Sequence, residues 1–575
     1  MQSGREAVQE QLQQAFHLQR AGRLAEAEDL CQRIVSVRPD LAEAKVRYAL
    51  ILLARGKQQD AETWLRRAST EHPQDPATAY HLGNLFSMRG NLEEAVRAYR
   101  QAVTLQANHA AYNNLGNALF MLGRMQEAED AYLKALAINP GLAPAHNNVG
   151  LIWLRGNLLD KARSAFERAL QHAPGYAEAQ NNLGITLQKM ERIDEALAAF
   201  RRAIALAPNF ANALLNLSTC LCDKGEAREA EKTALAALRL APTLPDMHAA
   251  LGNALRAQGR LAEAESSYRQ ALQRKPDFAE GLRLLAMLLS EQGRLEEAFA
   301  LFQDHARLVY GSGGKESIPE NSPQNSPKAG HDREQQAWLG DRATPFLIAE
   351  AGRLDGPTVQ SPAQLAGIAE AWRTSAPQLV VVDDFLTPEA LAALRRFCLE
   401  STIWQKAYDG GYLGAFPEHG FAPPLLAQIA EDLRRAYPMI LADHPLLHFW
   451  AFKYDSRLRG IAKHADFAAV NVNFWITPDE ANLDPDHGGL VVWDVAAPID
   501  WNFSRYNAGD KDIRDFLERE KARPITVPYR SNRAVIFDSD LFHETDTIHF
   551  KDGYENRRIN VTLLFGRRTA AAKPA

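Results

Sequence analysis

Cysteine is scarce in this chain: Cys31, Cys220, Cys222 and Cys398 are the only four among 575 residues, and no two stand at C-x-x-C spacing. That excludes a disulfide framework and a thiolate zinc site, and it suits a reducing compartment. Long apolar runs are missing too, so no segment supplies the roughly 20 residues a bilayer-spanning helix needs. Charge of one sign is equally absent. With 65 basic and 71 acidic residues the formal charge is −6, which leaves no basic field for nucleic acid. Met1 to Glu6 lead into a polar helical pattern rather than a charged start and an apolar stretch, so no secretory signal is expected and the cytoplasm is the default location. Oligomeric state is not legible.

What the chain does have is length and internal repetition. So many residues exceed one compact core, and at least two domains are expected. Pro140, Pro174, Pro208, Pro242 and Pro276 recur every 34 residues, and Pro39 and Pro73 stand at the same interval upstream. Between prolines the same grammar returns. A small residue occupies the first helix (Gly83, Gly116, Gly150, Gly184, Gly252), a glycine the turn (Gly90, Gly123, Gly225, Gly259, Gly293), and an alanine the second helix (Ala27, Ala61, Ala95, Ala128, Ala162, Ala196, Ala230, Ala264, Ala298). Small residues let two antiparallel helices approach, and proline ends the second helix before the next unit begins. This pattern resembles tetratricopeptide repeats, about nine of them over residues 1–310.

Stacked helix pairs of that kind form a superhelix whose concave face, lined by first helices, holds a peptide or partner protein. Asn114, Asn148, Asn182 and Asn216 recur at 34-residue spacing on the first helix, and their side chains form a ladder along one groove. A carboxamide both donates and accepts, so a row of them can grip an extended backbone without reading its sequence. The arrangement resembles the asparagine ladder in the repeat domain of O-linked N-acetylglucosamine transferases. Duplication of a solvent-facing position accounts for the same ladder without any ligand. Asn113, Asn147 and Asn181, one residue earlier, are expected to face a neighbouring repeat or solvent.

Beyond Tyr310 the composition turns to Gly, Ser and Pro with no apolar period, and residues 311–345 read as a flexible linker. A helical lead-in (346–375) follows. Residues 376–567 then carry short strand-like runs near 379–386, 447–454, 468–476, 489–494, 534–538 and 558–566, with a helix at 388–400; residues 568–575 are a tail. Many short strands between Gly, Pro and Asp turns indicate a β jelly roll with flanking helices. The fold class is therefore multidomain: an all-α repeat solenoid followed by a jelly-roll domain.

Within that region, His464-Ala465-Asp466 places an imidazole and a carboxylate on one side of an extended strand. A second histidine would complete two imidazoles and one carboxylate with open positions, the facial ligand set of non-heme Fe(II) oxygenases. The segments beginning Val382-Asp383-Asp384-Phe385, Lys463-His464-Ala465-Asp466, Gly488-Gly489-Leu490-Val491, Arg533-Ala534-Val535-Ile536 and Arg557-Arg558-Ile559-Asn560 follow one another in an order that resembles 2-oxoglutarate/Fe(II)-dependent dioxygenases of the prolyl-hydroxylase-like branch. The resemblance implies His464, Asp466 and His543 as iron ligands, with His549 a rival for the last. It also implies a cationic residue for the far carboxylate of 2-oxoglutarate.

By two-residue alternation Arg557 shares a face with Ile559, Val561, Leu563 and Phe565, and it is the expected partner of that carboxylate. Arg558 takes its place if the strand is offset by one. Asn471, Asn473 and Trp475 are expected to point into the barrel in phase, and Asn473 or Tyr454 to hydrogen-bond the cosubstrate. His487 reads as a turn residue, and the polar excursion 500–523 as a lid, substrate loop or decoration. The implied activity is hydroxylation of a polypeptide recruited by the repeat groove, with Fe(II) and 2-oxoglutarate and without nucleic acid or membrane. The alternatives are a repeat scaffold with an inactive jelly roll, and an oxygenase acting on a small molecule or glycan.

Overall fold

The computed structural model describes residues 2–311, 327–360, 365–408, 410–454, 460–499, 501, 503–508 and 510–567. These fall into two compact units, Met1–Ala241 and Pro242–Ala575. The first is all helical: seven antiparallel pairs run from Gln2–Arg20 to Ala227–Leu240. The nine second-helix alanines, seven here and two in the second unit, are all 0 % exposed, because any larger side chain would push the paired helices apart. The first-helix glycines meet aromatic rings. A Cβ at Gly116 would lie 2.5 Å from the Tyr132 ring, and one at Gly184 2.6 Å from Phe200. The turn glycines take left-handed backbone, for example φ +76° at Gly123 and +83° at Gly225, and Asn157 and Glu191 adopt it where glycine is missing.

The second unit begins with two more helix pairs, Pro245–Ala257 with Leu261–Arg274 and Ala279–Glu291 with Leu295–Ala306. It continues with ten strands: β1 (Leu379–Val382), β2 (Lys406–Tyr408), β3 (Tyr412–Ala415), β4 (Leu446–Tyr454), β5 (Val470–Trp475), β6 (Leu490–Ala496), β7 (Pro524–Val527), β8 (Ala534–Asp538), β9 (Leu541–Thr545) and β10 (Ile559–Phe565). They form an antiparallel seven-stranded sheet in the order β1-β8-β5-β10-β4-β3-β2 and a three-stranded one in the order β7-β6-β9.

One face of the large sheet packs on helices. A single apolar core joins Leu285, Leu289, Phe299 and Phe302 to Phe449, Val561, Leu563 and Phe565. Phe299 stacks on Phe449 at 4.6 Å between ring centroids, and Gln303 donates to the Ala422 carbonyl at 3.1 Å. The last two helix pairs are thus built into the same body as the sheets, whereas the sequence places the boundary at residue 310. Part of the expected linker also differs. Pro327–Leu339 is a helix whose buried Gln335 donates to the Leu399 and Ser401 carbonyls, so its polar composition conceals a docked face. Gly340–Arg342 continues as a short turn, whereas residues 312–326 of the linker and the tail lie outside the described residues.

Candidate metal centre

The candidate metal ligands lie on the side opposite that core. In β5 the side chains alternate: Val472 and Phe474 enter the helical core, whereas Asn471, Asn473 and Trp475 face the other way, as the sequence phase requires. His464 and Asp466 lie just before β5, and His543 lies in β9 of the small sheet. Reciprocal backbone bonds hold the two histidine strands together, with His464 N–H donating to the His543 carbonyl at 3.0 Å and His543 N–H returning to the His464 carbonyl at 2.8 Å.

One ligand atom from each of His464, Asp466 and His543 lies within 4.8 Å of the others. The ring centroids of the histidines are 4.2 Å apart, and His543 Nε2 is 3.4 Å from Asp466 Oδ2. His464 Nδ1 bonds to the Ala462 carbonyl at 2.9 Å and His543 Nδ1 to the Leu541 carbonyl at 3.0 Å. A carbonyl can only accept, so each Nδ1 carries the hydrogen and each Nε2 presents a lone pair. Burial and then the neighbouring His543 hold the His464 imidazole down, at about 4, which keeps it neutral and able to ligate. Burial acts to raise the Asp466 carboxyl, but His543, His464 and Asn471 outweigh it and leave it below its ordinary value. Asn471 fixes that carboxylate by donating to Oδ2 at 2.6 Å.

The rival histidines lie elsewhere. His549 is exposed, and His487 is an exposed turn residue paired with Asp546 at 3.1 Å.

The arginine assignment is corrected. Arg557 points away from the triad face and pairs with Glu334 at 3.0 Å. Arg558 is 1 % exposed and lies with His464, Asp466, His543, Tyr454 and Asn473 around one small cavity of about 20 Å³, room for about one water. Its Nε donates to the Gly488 carbonyl at 2.7 Å and its Nη2 to the Gly489 carbonyl at 3.1 Å. Nη1 is buried with no partner. The guanidinium carbon sits 4.6 Å over the Tyr454 ring and 5.6 Å from that of Trp475, and burial lowers its pKa. The physical reason is strand phase: Ile559, Val561, Leu563 and Phe565 fill the helical core, so the residues alternating with them, Arg558, Asn560 and Thr562, take the cavity face.

Tyr454 and Asn473 do line that cavity. The Tyr454 hydroxyl is 3.3 Å from Thr545 Oγ1, and Asn473 donates to Thr562 Oγ1 at 3.2 Å while its own oxygen has no partner. Sequence reading missed the carbonyl cradle of Gly488 and Gly489. Gly488 has φ +86°, and a Cβ at Gly489 would fall 1.9 Å from the Val527 carbonyl oxygen, so the paired glycines are the signal. The described residues of the excursion 500–523 fold over this region rather than away from it. Trp501, Phe516 and Phe542 pack together, and Asn507 donates to the Ala465 carbonyl at 3.3 Å.

A second cavity, about 420 Å³, opens beside His464 and Asp466. Aromatic side chains of β2 to β4 line one side and Met287 and Phe302 of the repeat helices the other. His448 in its wall is held down at about 4 by burial.

In the first unit the expected ladder is present as a chain of amides. Asn148 donates to Asn117 Oδ1 at 2.9 Å, Asn182 to Asn147 at 2.9 Å, Asn216 to Asn181 at 2.9 Å and Asn114 to Asn84 at 3.0 Å. The ladder residues are half-buried, and Asn147 and Asn181 face the neighbouring repeat.

Tetratricopeptide-repeat models match residues 18–84, 80–143, 177–210 and 249–309. No curated protein matches the chain. Among solved structures, a chain of the APC/C hetero-tetramer Cut9–Hcn1 is 20% identical with TM-score 0.37; the match covers 42% of this chain and 48% of that one, so this chain spans about half the length of its relative. YrrB, described as a TPR protein with an unusual peptide-binding site, is 24% identical over 32% of this chain and 97% of its own, with TM-score 0.28. PilF of Pseudomonas aeruginosa is 22% identical over 36% and 96%, with TM-score 0.34. Among the described residues no helix is long and apolar enough to cross a membrane. The helical array that begins this chain is built of tetratricopeptide repeats.

Proposed function

We propose that the chain is a 2-oxoglutarate- and Fe(II)-dependent dioxygenase whose β region is a jelly roll and whose repeats recruit a polypeptide for hydroxylation. The observation that carries this reading is the convergence of two Nε2 lone pairs and one carboxylate within 4.8 Å, in the same cavity as a buried guanidinium with one unpartnered N–H group. Donor set and orphaned donor each lack a role in the protein alone, and an iron ion with a bound dicarboxylate gives both one. Such a pair supplies oxidation of a C–H bond by dioxygen, coupled to conversion of 2-oxoglutarate to succinate.

The chain's own residues do the positioning. His464, Asp466 and His543 hold the metal on one face, and the carbonyls of Ala462 and Leu541 fix both imidazole tautomers. Asn471 orients the Asp466 carboxylate. Arg558 anchors the far carboxylate, and Tyr454 and Asn473 give polar contacts between anchor and metal. A five-carbon diacid exceeds the present free volume, so side chains around Arg558 must turn outward to admit it. In the first unit, amides not consumed by the ladder's own bonds hold a backbone.

The test is anaerobic reconstitution of the full chain with Fe(II), then exposure to air with 2-oxoglutarate. Wild type forms succinate and His464→Ala does not. Equal succinate from both sinks the metal assignment. In parallel, Asn148→Ala with Asn182→Ala weakens peptide capture; unchanged capture removes the ladder from recruitment.

A further inference from the structure

We infer that the 420 Å³ cavity beside the metal triad is a substrate pocket for an uncharged aromatic group, and that the last tetratricopeptide helices form one of its walls. The inference rests on the dioxygenase reading for the chemistry performed there, not for the pocket itself.

The first support is composition. Tyr408, Tyr412, Phe416, Trp450 and Phe452 cover the sheet side, and Met287 faces them from the helix Ala279–Glu291. Such a volume is typical of a pocket that encloses one small ligand or side chain. The charged groups of the wall are Arg283, Glu418 and Asp466. Arg283 is bidentate to Glu280 at 2.9 and 2.6 Å, and Asp466 belongs to the triad. An anionic guest would lose water and find Arg283 already paired, which disfavours it strongly, and a cationic one would meet only Glu418, which already lies in the field of Arg283.

The second support is ring geometry. Tyr408 and Tyr412 stack at 4.6 Å and 11°, and Phe452 stands edge-on to both, at 5.9 Å and 81° and at 5.3 Å and 88°. Edges and faces are thus both presented, and a further ring continues the array better than an alkyl group of equal area. Met287 opposite is unbranched and polarizable, suited to press on a ring. His464 and Asp466 line the same cavity, so a seated group lies beside the residues that would hold the metal.

In the reaction this implies, one oxygen atom of O₂ enters a C–H bond of the bound group to give C–OH. The other enters succinate as 2-oxoglutarate loses CO₂, so 2-oxoglutarate is the two-electron co-reductant. The chemistry recognised is shared by an aromatic side chain of a polypeptide and a free aromatic molecule.

The experiment titrates the metal-free full chain by calorimetry with blocked tripeptides Gly-X-Gly, X being Phe, Leu, Glu or Lys, and with phenylpropionamide. The Phe peptide is expected to bind about three- to tenfold tighter than the Leu peptide, with no saturable binding of Glu or Lys peptides. Met287→Lys and Phe416→Asp each weaken the Phe peptide tenfold or more, while Met287→Leu keeps it within twofold and guards against misfolding. Glu or Lys peptides binding as well as Phe, or Met287→Lys leaving affinity unchanged, overturns the inference. Phenylpropionamide binding as tightly as the peptide assigns a free small molecule; binding much more weakly assigns a polypeptide. If the Fe(II)-loaded wild type forms no succinate yet keeps aromatic selectivity, the oxygenase reading fails and the pocket stands. Succinate formation without aromatic selectivity gives the reverse.

Discussion

Replacing Arg558 with Met separates the anchoring role of this arginine from that of its neighbour. The guanidinium spends Nε and Nη2 on the Gly488 and Gly489 carbonyls and keeps Nη1 unpartnered. A charge-assisted bond to a carboxylate in a dry site contributes about 1.5–3 kcal/mol. Its loss raises the KM for 2-oxoglutarate by roughly 10- to 150-fold. Stability moves less predictably in size but not in direction: two buried carbonyls lose their donors at about 1–3 kcal/mol each, while removal of a desolvated charge offsets part of that. Arg558→Lys keeps the charge but lacks the fork and should fall between Met and wild type. Arg557→Met is the control. Its pairing with the half-exposed Glu334 contributes about 0–1 kcal/mol and leaves the 2-oxoglutarate KM unchanged. The assay is succinate formation against 2-oxoglutarate concentration, with urea denaturation of each variant. A KM raised by Arg557→Met and unmoved by Arg558→Met refutes the strand phase on which the anchor rests.

Three other outcomes follow from the packing. Gly489→Ala places a methyl against the Val527 carbonyl and the Pro528 backbone, which cannot rotate away. A stability loss of about 1–3 kcal/mol or more is expected, with weakened 2-oxoglutarate binding because the cradle of Arg558 shifts; a neutral result in urea melts contradicts the close approach. Gly116→Val drives a side chain into the Tyr132 ring and costs about 1–3 kcal/mol, whereas Gly123→Ala strains only a left-handed turn at about 1 kcal/mol; reversal of that order in denaturant midpoints counts against the helix pairing. His331 is fully buried and its imidazole is pushed down to about 3, chiefly by burial. Because the folded value lies below the unfolded one, the unfolded chain binds the extra proton between them, and stability falls as pH drops from 6.5 toward 3. From pH 6.5 to 5 the loss is about 2 kcal/mol, and His331→Phe flattens the slope; an equal slope in both proteins refutes it.

The repeats were legible because their constraint is local and repeated. Nine alanines sit under nine turns, and each must be small for the same steric reason, so period alone reveals them. The triad was legible for a related reason: His464 and Asp466 are two apart and need only an extended backbone to share a side. The choice between Arg557 and Arg558 was not, because it depends on which face of β10 meets the helices. The row Ile559, Val561, Leu563 and Phe565 is one face, and Arg557, though in phase with it, lies ahead of the strand and pairs with Glu334. The other row, Arg558, Asn560 and Thr562, is polar throughout, and three polar side chains in alternation inside a buried strand are a stronger pointer to a cavity than one arginine beside four apolar residues. The Pro327–Leu339 helix was hidden differently. Its docked face is made by His331, Gln335 and Leu339, of which only the last is apolar, and it is held by carbonyls of residues 399 and 401 far along the chain.

The last two helix pairs bear most directly on how the proposed recruitment and the proposed chemistry would be joined. Tethering through a flexible linker would raise local concentration and leave the reacting group to find its own orientation. Here Phe299 and Phe302 are packed against Phe449 of the large sheet, and Met287 of the same repeat lines the cavity that reaches His464. A repeat that fills part of the pocket wall would contribute orientation as well as proximity, and the two together lower the barrier of an intramolecular reaction. It follows that cutting the chain between residues 306 and 327 and supplying the two halves separately removes more than a tether. The β half would expose Phe449 and the apolar face of β4 and β10, so loss of its stability, not merely slower turnover, is the expected result. An isolated C-terminal fragment that folds and binds the Phe peptide at full affinity would show the helices to be dispensable.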